Sequence, residues 1–96
     1  GLLDQSQATN PIPRNDTTNV SKTTTVLHWA PAFDVNTHRV YFGTNPGSLP
    51  LVSPGQNYTS FVPTLSARTT YYWRIDQVNH SGMVVPGVEW HFTTGP

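Results

Sequence analysis

Apolar and polar residues alternate along four stretches of this chain, at residues 24–29, 37–44, 69–79 and 88–94. Successive side chains of a β-strand point to opposite faces, so the alternation predicts strands of a sheet that is buried on one side. The inward positions predicted in this way are Leu27, Trp29, His38, Val40, Phe42, Tyr71, Trp73, Ile75, Val88, Trp90 and Phe92.

Three shorter segments complete the predicted architecture. Residues 49–53 and 58–62 form short strands that end at prolines, because proline donates no hydrogen bond to an interior ladder. Tyr58 and Phe61 are expected near the core. A proline-flanked segment around Ile12 brings the total to seven short strands.

The N-terminal part of the chain lacks the alternation. Residues 1–10 are polar and unpatterned, so we expect a linker or N-terminal extension there, followed by a single domain over residues 11–96. Residues 15–19 are Asn, Asp and Thr and are predicted to form a turn, since these side chains bond the nearby backbone.

Composition agrees with an all-β fold and removes several classes of function. The 96 residues suit one domain, in which nine Pro and seven Gly punctuate β-favouring residues. The absence of cysteine excludes disulfides and a cysteine nucleophile. A formal net charge of zero offers no field to attract nucleic acid or anionic lipid, and no apolar run is long enough to span a bilayer. We therefore expect no nucleic-acid partner and no membrane insertion.

The strand motifs resemble the fibronectin type III family of immunoglobulin-like sandwiches. The resemblance is carried by Leu27-His28-Trp29, by Arg39-Val40-Tyr41-Phe42, and by Leu65 followed six residues later by Tyr71. It covers about residues 10–94 and implies an all-β, seven-stranded antiparallel sandwich. It further implies that Tyr71 is a tyrosine-corner residue whose hydroxyl bonds the backbone near Leu65. The alternation places Trp29, Trp73 and Trp90 in the core, so these three are expected to be structural.

A narrower similarity concerns residues 40–44, 70–76 and 90–94. These segments are similar to modules appended to secreted bacterial proteins, many of them polysaccharide-degrading. The similarity implies a setting outside the cell, but it implies no activity, because this sandwich hosts many roles.

The histidines and serines show no catalytic or metal-binding pattern. Four histidines fall on separate strands or loops without a ligand spacing, so we expect neither a metal nor a cofactor; they are His28, His38, His80 and His91. The sequence contains no nucleophile-elbow motif, and no glycine-rich phosphate loop opens a helix. We therefore expect that the chain is not an enzyme.

The outward carboxylates of two adjacent predicted strands have a simple explanation. Asp76 and Glu89 could approach each other as a catalytic pair does in glycosidases. Arg39 and Arg74 share that face, however, and cross-strand ion pairing accounts for the same residues. We favour ion pairing.

One set of outward residues could bind a ligand if the third, sixth and seventh predicted strands are neighbours. Aromatic faces pack against the C–H surface of sugars, while charged side chains bond hydroxyls. Ordinary cross-strand pairing is the simpler explanation. The set, called the ligand face below, is Arg39, Tyr41, Tyr72, Arg74, Asp76, Glu89 and His91.

Four Asn-X-Ser/Thr sequons are candidate N-glycosylation sites of a secreted protein. A loop composition rich in Ser and Thr explains them as well. They begin at Asn15, Asn19, Asn57 and Asn79.

The sequence as a whole predicts a non-catalytic module of a larger secreted or cell-surface protein, located outside the cell. It would space, link or assemble larger units, with neighbouring domains or identical modules as partners. One alternative is a carbohydrate-binding module that holds a polysaccharide through Tyr41, Tyr72 and Arg74. Another is the repeating subunit of an extracellular filament, in which residues 1–13 supply a strand to a neighbour.

Overall fold

The computed structural model describes residues 7–96, which form nine strands in two sheets. No helix in this range is long and apolar enough to cross a membrane. The strands are β1 (Thr9–Ile12), β2 (Thr17–Val20), β3 (Leu27–Ala30), β4 (Val35–Gly43), β5 (Leu51–Gln56), β6 (Ser60–Phe61), β7 (Thr70–Asn79), β8 (Val84–Val85) and β9 (Trp90–Thr94). The predicted all-β sandwich is confirmed.

The two sheets differ in size. The small sheet has the order β1-β3-β6, and the large sheet has the order β2-β9-β7-β4-β5 with β8 added to β7. Since β4 occupies one side of β7, β8 and β9 share the other side. There β9 lies opposite the first residues of β7, and β8 lies opposite Gln77 and Val78. The last strand of the sandwich is therefore interrupted between Val85 and Trp90.

Two of the nine strands are missing from the sequence prediction. β2 occupies most of the predicted turn and pairs in parallel with β9, with Thr17 opposite Phe92 and Val20 opposite Thr94. β2 is short and polar, so its sequence shows no alternation. It forms a strand because β9 offers an unpaired edge. β8 has only two residues, so a period of two cannot reveal it.

Some predicted strand limits and core positions are wrong. Val88 is 48% exposed, because β8 ends at Val85, just before Pro86, which has no N–H to donate to the ladder. Tyr58 is 63% exposed, whereas Phe61 packs against the core as predicted. β5 continues through Pro54 to Gln56, which an edge strand tolerates.

The chain joins the sandwich before the predicted domain start at residue 11. Ala8 is only 2% exposed, and the Gln7 side-chain amide donates to the Pro86 carbonyl at 3.0 Å. Thr9 then pairs with Ala30. Residues 7–10 are consequently part of the domain and not of a linker, while residues 1–6 lie outside the described residues.

Aromatic side chains fill the space between the sheets. Trp29 contacts Trp73 edge-on with ring centroids 6.2 Å apart, and Trp73 contacts Trp90 in the same way at 4.8 Å. Phe42 stacks on Tyr71 at 5.0 Å. The predicted inward positions of all three indoles are confirmed, since none exceeds 6% exposure.

The Tyr71 hydroxyl anchors the segment that crosses from the small sheet to the large one. Its oxygen accepts a hydrogen bond from the Ser66 backbone N–H at 2.7 Å, one residue after Leu65. Leu65 itself packs against the core. This contact has the geometry that the fibronectin resemblance implies for a tyrosine corner.

We expect Tyr71→Phe to lower the free energy of unfolding by about 0.5–1.5 kcal/mol, the net worth of one hydrogen bond. The ring would still stack on Phe42, so only the bond to Ser66 is lost. Urea unfolding followed by tryptophan fluorescence measures the change. Tyr41→Phe is the matched control, since the Tyr41 hydroxyl has no hydrogen-bond partner within residues 7–96. Equal stability of the two variants would contradict the anchoring role.

Candidate functional site

The large sheet brings most of the ligand face together. In the ladder of β4 and β7, Tyr41 lies opposite Arg74 and Arg39 lies opposite Asp76. In the ladder of β7 and β9, Tyr72 lies opposite His91. The predicted adjacency of these three strands is therefore correct.

Arg74 is held at the centre of this face. Its guanidinium carbon lies 4.1 Å from the centroid of the Tyr41 ring, in a cation–π arrangement. Its Nε donates to Asp76 Oδ1 at 2.7 Å. The two contacts cover the Tyr41 ring and engage the cation, so neither group is free to receive a sugar without rearrangement.

Asp76 contacts Arg74 on the outward side of β7, but it is buried and not solvent-exposed. Its exposure is only 5%, because residues 86–89 cross over it. The Gly87 N–H donates to Asp76 Oδ1 at 2.9 Å. This close approach requires glycine, since a Cβ at Gly87 would stand 2.0 Å from the Ile75 carbonyl oxygen. Asp76 therefore fastens the interruption between β8 and β9.

The remaining charges of the ligand face do not form the expected cross-strand pairs. Glu89 Oε2 accepts a hydrogen bond from the Gly47 N–H at 3.0 Å and so holds the turn between β4 and β5. Asp76 pairs along its own strand with Arg74, although Arg39 lies directly opposite. The two carboxylates thus bind different backbone segments.

The histidines occupy separate environments. His38 is 3% exposed, and its Nδ1 accepts a hydrogen bond from Trp29 Nε1 at 3.2 Å. Desolvation by burial lowers the pKa of His38, which keeps the imidazole neutral and able to accept that bond. His80 lies 2.7 Å from Asp34, and His91 lies 3.0 Å from Asp16. Within residues 7–96, no three His, Asp or Glu side chains come close enough to hold a metal ion.

The four sequons differ in how their asparagine side chains are engaged. Asn79 Oδ1 accepts from the Ser81 N–H, the Ser81 hydroxyl and the Met83 N–H at 2.7–3.0 Å. Asn15 Oδ1 accepts from the His91 N–H at 3.0 Å. Asn19 and Asn57 are exposed. Glycosylation at each position stays a prediction.

A groove of about 510 Å³ opens where the chain passes from the small sheet to the large one. Sequence reasoning missed it, because its polar residues fall in an unpatterned segment and its indole is a core residue. Only the crossing of the chain between sheets brings them together. The lining consists of Asn10, Pro11, Ile12, Arg14, Asn15 and Trp90.

The sequence matches no protein-family model and no curated protein. Solved structures share its fold, among them a Fn3-like protein from Clostridium thermocellum, with a TM-score of 0.70, 19% identity, and coverage of 93% of this chain and 92% of that one. Another is the α-L-rhamnosidase of Streptomyces avermitilis complexed with L-rhamnose, with a TM-score of 0.64 and 15% identity. That match covers 93% of this chain but only 10% of the rhamnosidase.

These similarities confirm the fibronectin type III-like fold that the sequence motifs predicted. At such low identity they concern the fold alone. The chain spans one tenth of the rhamnosidase, so the likeness is to one part of a much longer protein.

We expect Gly87→Ala to destabilise the domain by about 1–3 kcal/mol or more, because the added methyl group meets backbone that cannot move aside freely. Thermal unfolding measures the loss. Gly55→Ala is the matched control, since a Cβ there meets nothing within 4 Å, and it should stay within about 0.5 kcal/mol of the parent. A neutral Gly87→Ala would contradict the close crossing over Ile75.

We expect His38 to make the domain less stable in acid. The folded protein holds the pKa of His38 below the ordinary value of 6.5, so the unfolded chain binds the proton more readily as pH falls through that value. Stability is then lost below about pH 6.5, by at most about 1.4 kcal/mol per pH unit. The test compares the parent with His38→Gln, which keeps an acceptor but does not titrate, between about pH 5 and 8. All other side chains are the same in the two proteins, so a difference in stability that does not change with pH would refute the assignment.

Proposed function

We propose that this chain is a non-catalytic extracellular module that holds neighbouring parts of a larger secreted or cell-surface protein at a fixed separation. The single observation that carries the proposal is the direction of the strands. Thr9 pairs with Ala30, at the end of the sandwich where β7 finishes. Thr94 donates its N–H to the Thr69 carbonyl, at the end where β7 begins.

The described chain therefore enters at one end of the sandwich and leaves at the other. β7 has ten residues, and a strand rises about 3.3 Å per residue, so the two ends lie about 30 Å apart. A domain joined before Gln7 and another joined after Pro96 would be held apart by this rigid body. Such in-line geometry suits a spacer.

The side chains of the ligand face bond to other parts of the domain, and this supports a structural role. Arg74, Asp76 and Gly87 form one connected set of contacts, and Glu89 holds a turn. These polar groups stabilise the sheet and the segment that interrupts its last strand. Their geometry gives the carbohydrate alternative on this face no particular support, because Arg74 already covers Tyr41.

The filament alternative is also less favoured by the contacts. Residues 9–12 belong to the strand that a subunit would have to donate, and they pair with β3 of the same chain. The likeness to one tenth of a long rhamnosidase agrees with a module embedded in a larger protein.

A distance measurement tests the spacer geometry directly. The chain has no cysteine, so Thr9→Cys with Pro96→Cys accepts two spin labels uniquely. We expect a narrow distribution centred near or above about 30 Å by pulsed electron paramagnetic resonance. Thr9→Cys with Phe33→Cys is the matched control, since Phe33 lies on the loop after β3 at the same end as Thr9, and it should give a clearly shorter distance.

A broad distribution, or an equal distance for both pairs, would contradict a rigid in-line spacer. The non-catalytic part is tested by incubating the purified chain with panels of chromogenic glycosides and esters. Turnover that follows the folded protein through purification would refute it.

A further inference from the structure

Three polar side chains of the groove between the sheets have unused hydrogen-bonding capacity. Arg14 is exposed and forms no ion pair within residues 7–96. The Asn10 amide makes no side-chain hydrogen bond in that range. Asn15 uses its oxygen to accept from the His91 N–H and leaves its NH₂ group without a partner among the described residues.

The walls that carry these groups are anchored to the sandwich. The Asp16 N–H donates to the His91 carbonyl at 2.7 Å, and the Thr17 N–H donates to the Arg14 carbonyl at 3.1 Å. Arg14 and Asn15 therefore sit on a turn that is fixed to β9. On the other side, Asn10 lies in β1, which pairs with β3. A ligand would meet preorganised backbone, which reduces the entropy lost on binding.

The lining selects a particular chemistry. It holds one cation, Arg14, and no carboxylate, so it favours a ligand with one anionic group. The amides both donate and accept, as hydroxyl groups do. Pro11, Ile12 and Trp90 add apolar surface. The volume falls within the usual range of small-ligand sites, about 300–1,000 Å³.

We propose that this groove binds a sugar ring that bears a carboxylate, namely a uronic acid residue of a polysaccharide. Arg14 pairs with the carboxylate, and Asn10 and Asn15 bond the ring hydroxyls. The C–H face of the sugar ring packs against the apolar surface of Ile12 and Trp90. Asp16 follows Asn15 but does not line the groove, and its Oδ1 lies 3.0 Å from His91 Nε2. The site is separate from the ligand face and adds attachment to polysaccharide to the spacer role.

An acidic peptide is the main competing ligand, and the amides argue against it. A peptide carboxylate needs donors only, whereas Asn10 offers a donor and an acceptor side by side.

The test is a titration followed by ¹H–¹⁵N NMR on protein made without N-glycosylation, since Asn15 begins a sequon. The probes are digalacturonate, its neutral counterpart galactobiose, and tetraglutamate. We expect digalacturonate to shift the indole N–H signal of Trp90, assigned by its loss in Trp90→Phe, with a Kd of about 1 mM or below. Signals of Trp29 and Trp73 should not move. Galactobiose should bind at least about tenfold more weakly, since it has no carboxylate to pair with Arg14.

Variants locate the site. Arg14→Gln should weaken digalacturonate binding by about tenfold or more, and Asn10→Gly should weaken it while permitting the left-handed backbone of that position, φ 52°. Arg68→Gln is the matched control, an exposed arginine outside the groove, and should bind as the parent does.

Three results would overturn the proposal. The first is that the Trp90 signal does not shift when digalacturonate is present at about ten times the expected Kd. The second is that Arg14→Gln and Arg68→Gln lose affinity equally. The third is that tetraglutamate binds at least as tightly as digalacturonate. None of these results would alter the distances measured between spin labels. Failure of this site can therefore be told apart from failure of the spacer geometry.

Discussion

The edge-on packing of three indoles holds the two sheets together, and most other features depend on it. Trp29 comes from the small sheet, while Trp73 and Trp90 come from the large one. Large aromatic side chains contribute most of the buried area of a small core, and edge-to-face contacts add a favourable term beyond area. With Trp73 fully buried and Trp29 bonded to a neutral His38, the interior of the described sandwich is filled by its own side chains.

The polar side chains on the outer face of the large sheet compensate for the interruption of its last strand. Interrupting the last strand between β8 and β9 removes ladder bonds from this edge of β7, and Asp76 replaces one of them by accepting from Gly87. Arg74 balances the buried carboxylate and rests on Tyr41. An ion pair of this kind keeps a buried charge compensated. Arg74 and Asp76, which the sequence placed on the ligand face, therefore stabilise the sheet where its last strand is interrupted.

The groove arises from a different feature, the switch of the chain from one sheet to the other. β1 belongs to the small sheet and β2 to the large one, so the residues between them bridge the open side of the sandwich. Trp90 serves both regions, since its ring contacts Trp73 in the core and the residue also lines the groove. The outer face of the large sheet uses its charged groups in contacts within the fold, whereas the polar side chains of the groove keep free hydrogen-bonding capacity. This is the physical difference between the two surfaces.

The sequence by itself determined the all-β sandwich and the inward indoles, because a period of two and an aromatic side chain's need for burial are local properties. The hydroxyl contact of Tyr71 was implied by the resemblance to the fibronectin type III family, and not by the alternation. Tertiary structure alone decided the parallel pairing of β2, the exposure of Tyr58 and Val88, and the burial of Asp76. It also decided that Arg14 and Trp90 line one groove. These depend on which strand edge is open and on where the chain crosses between sheets. Such contacts join residues far apart in sequence, and no local pattern encodes them.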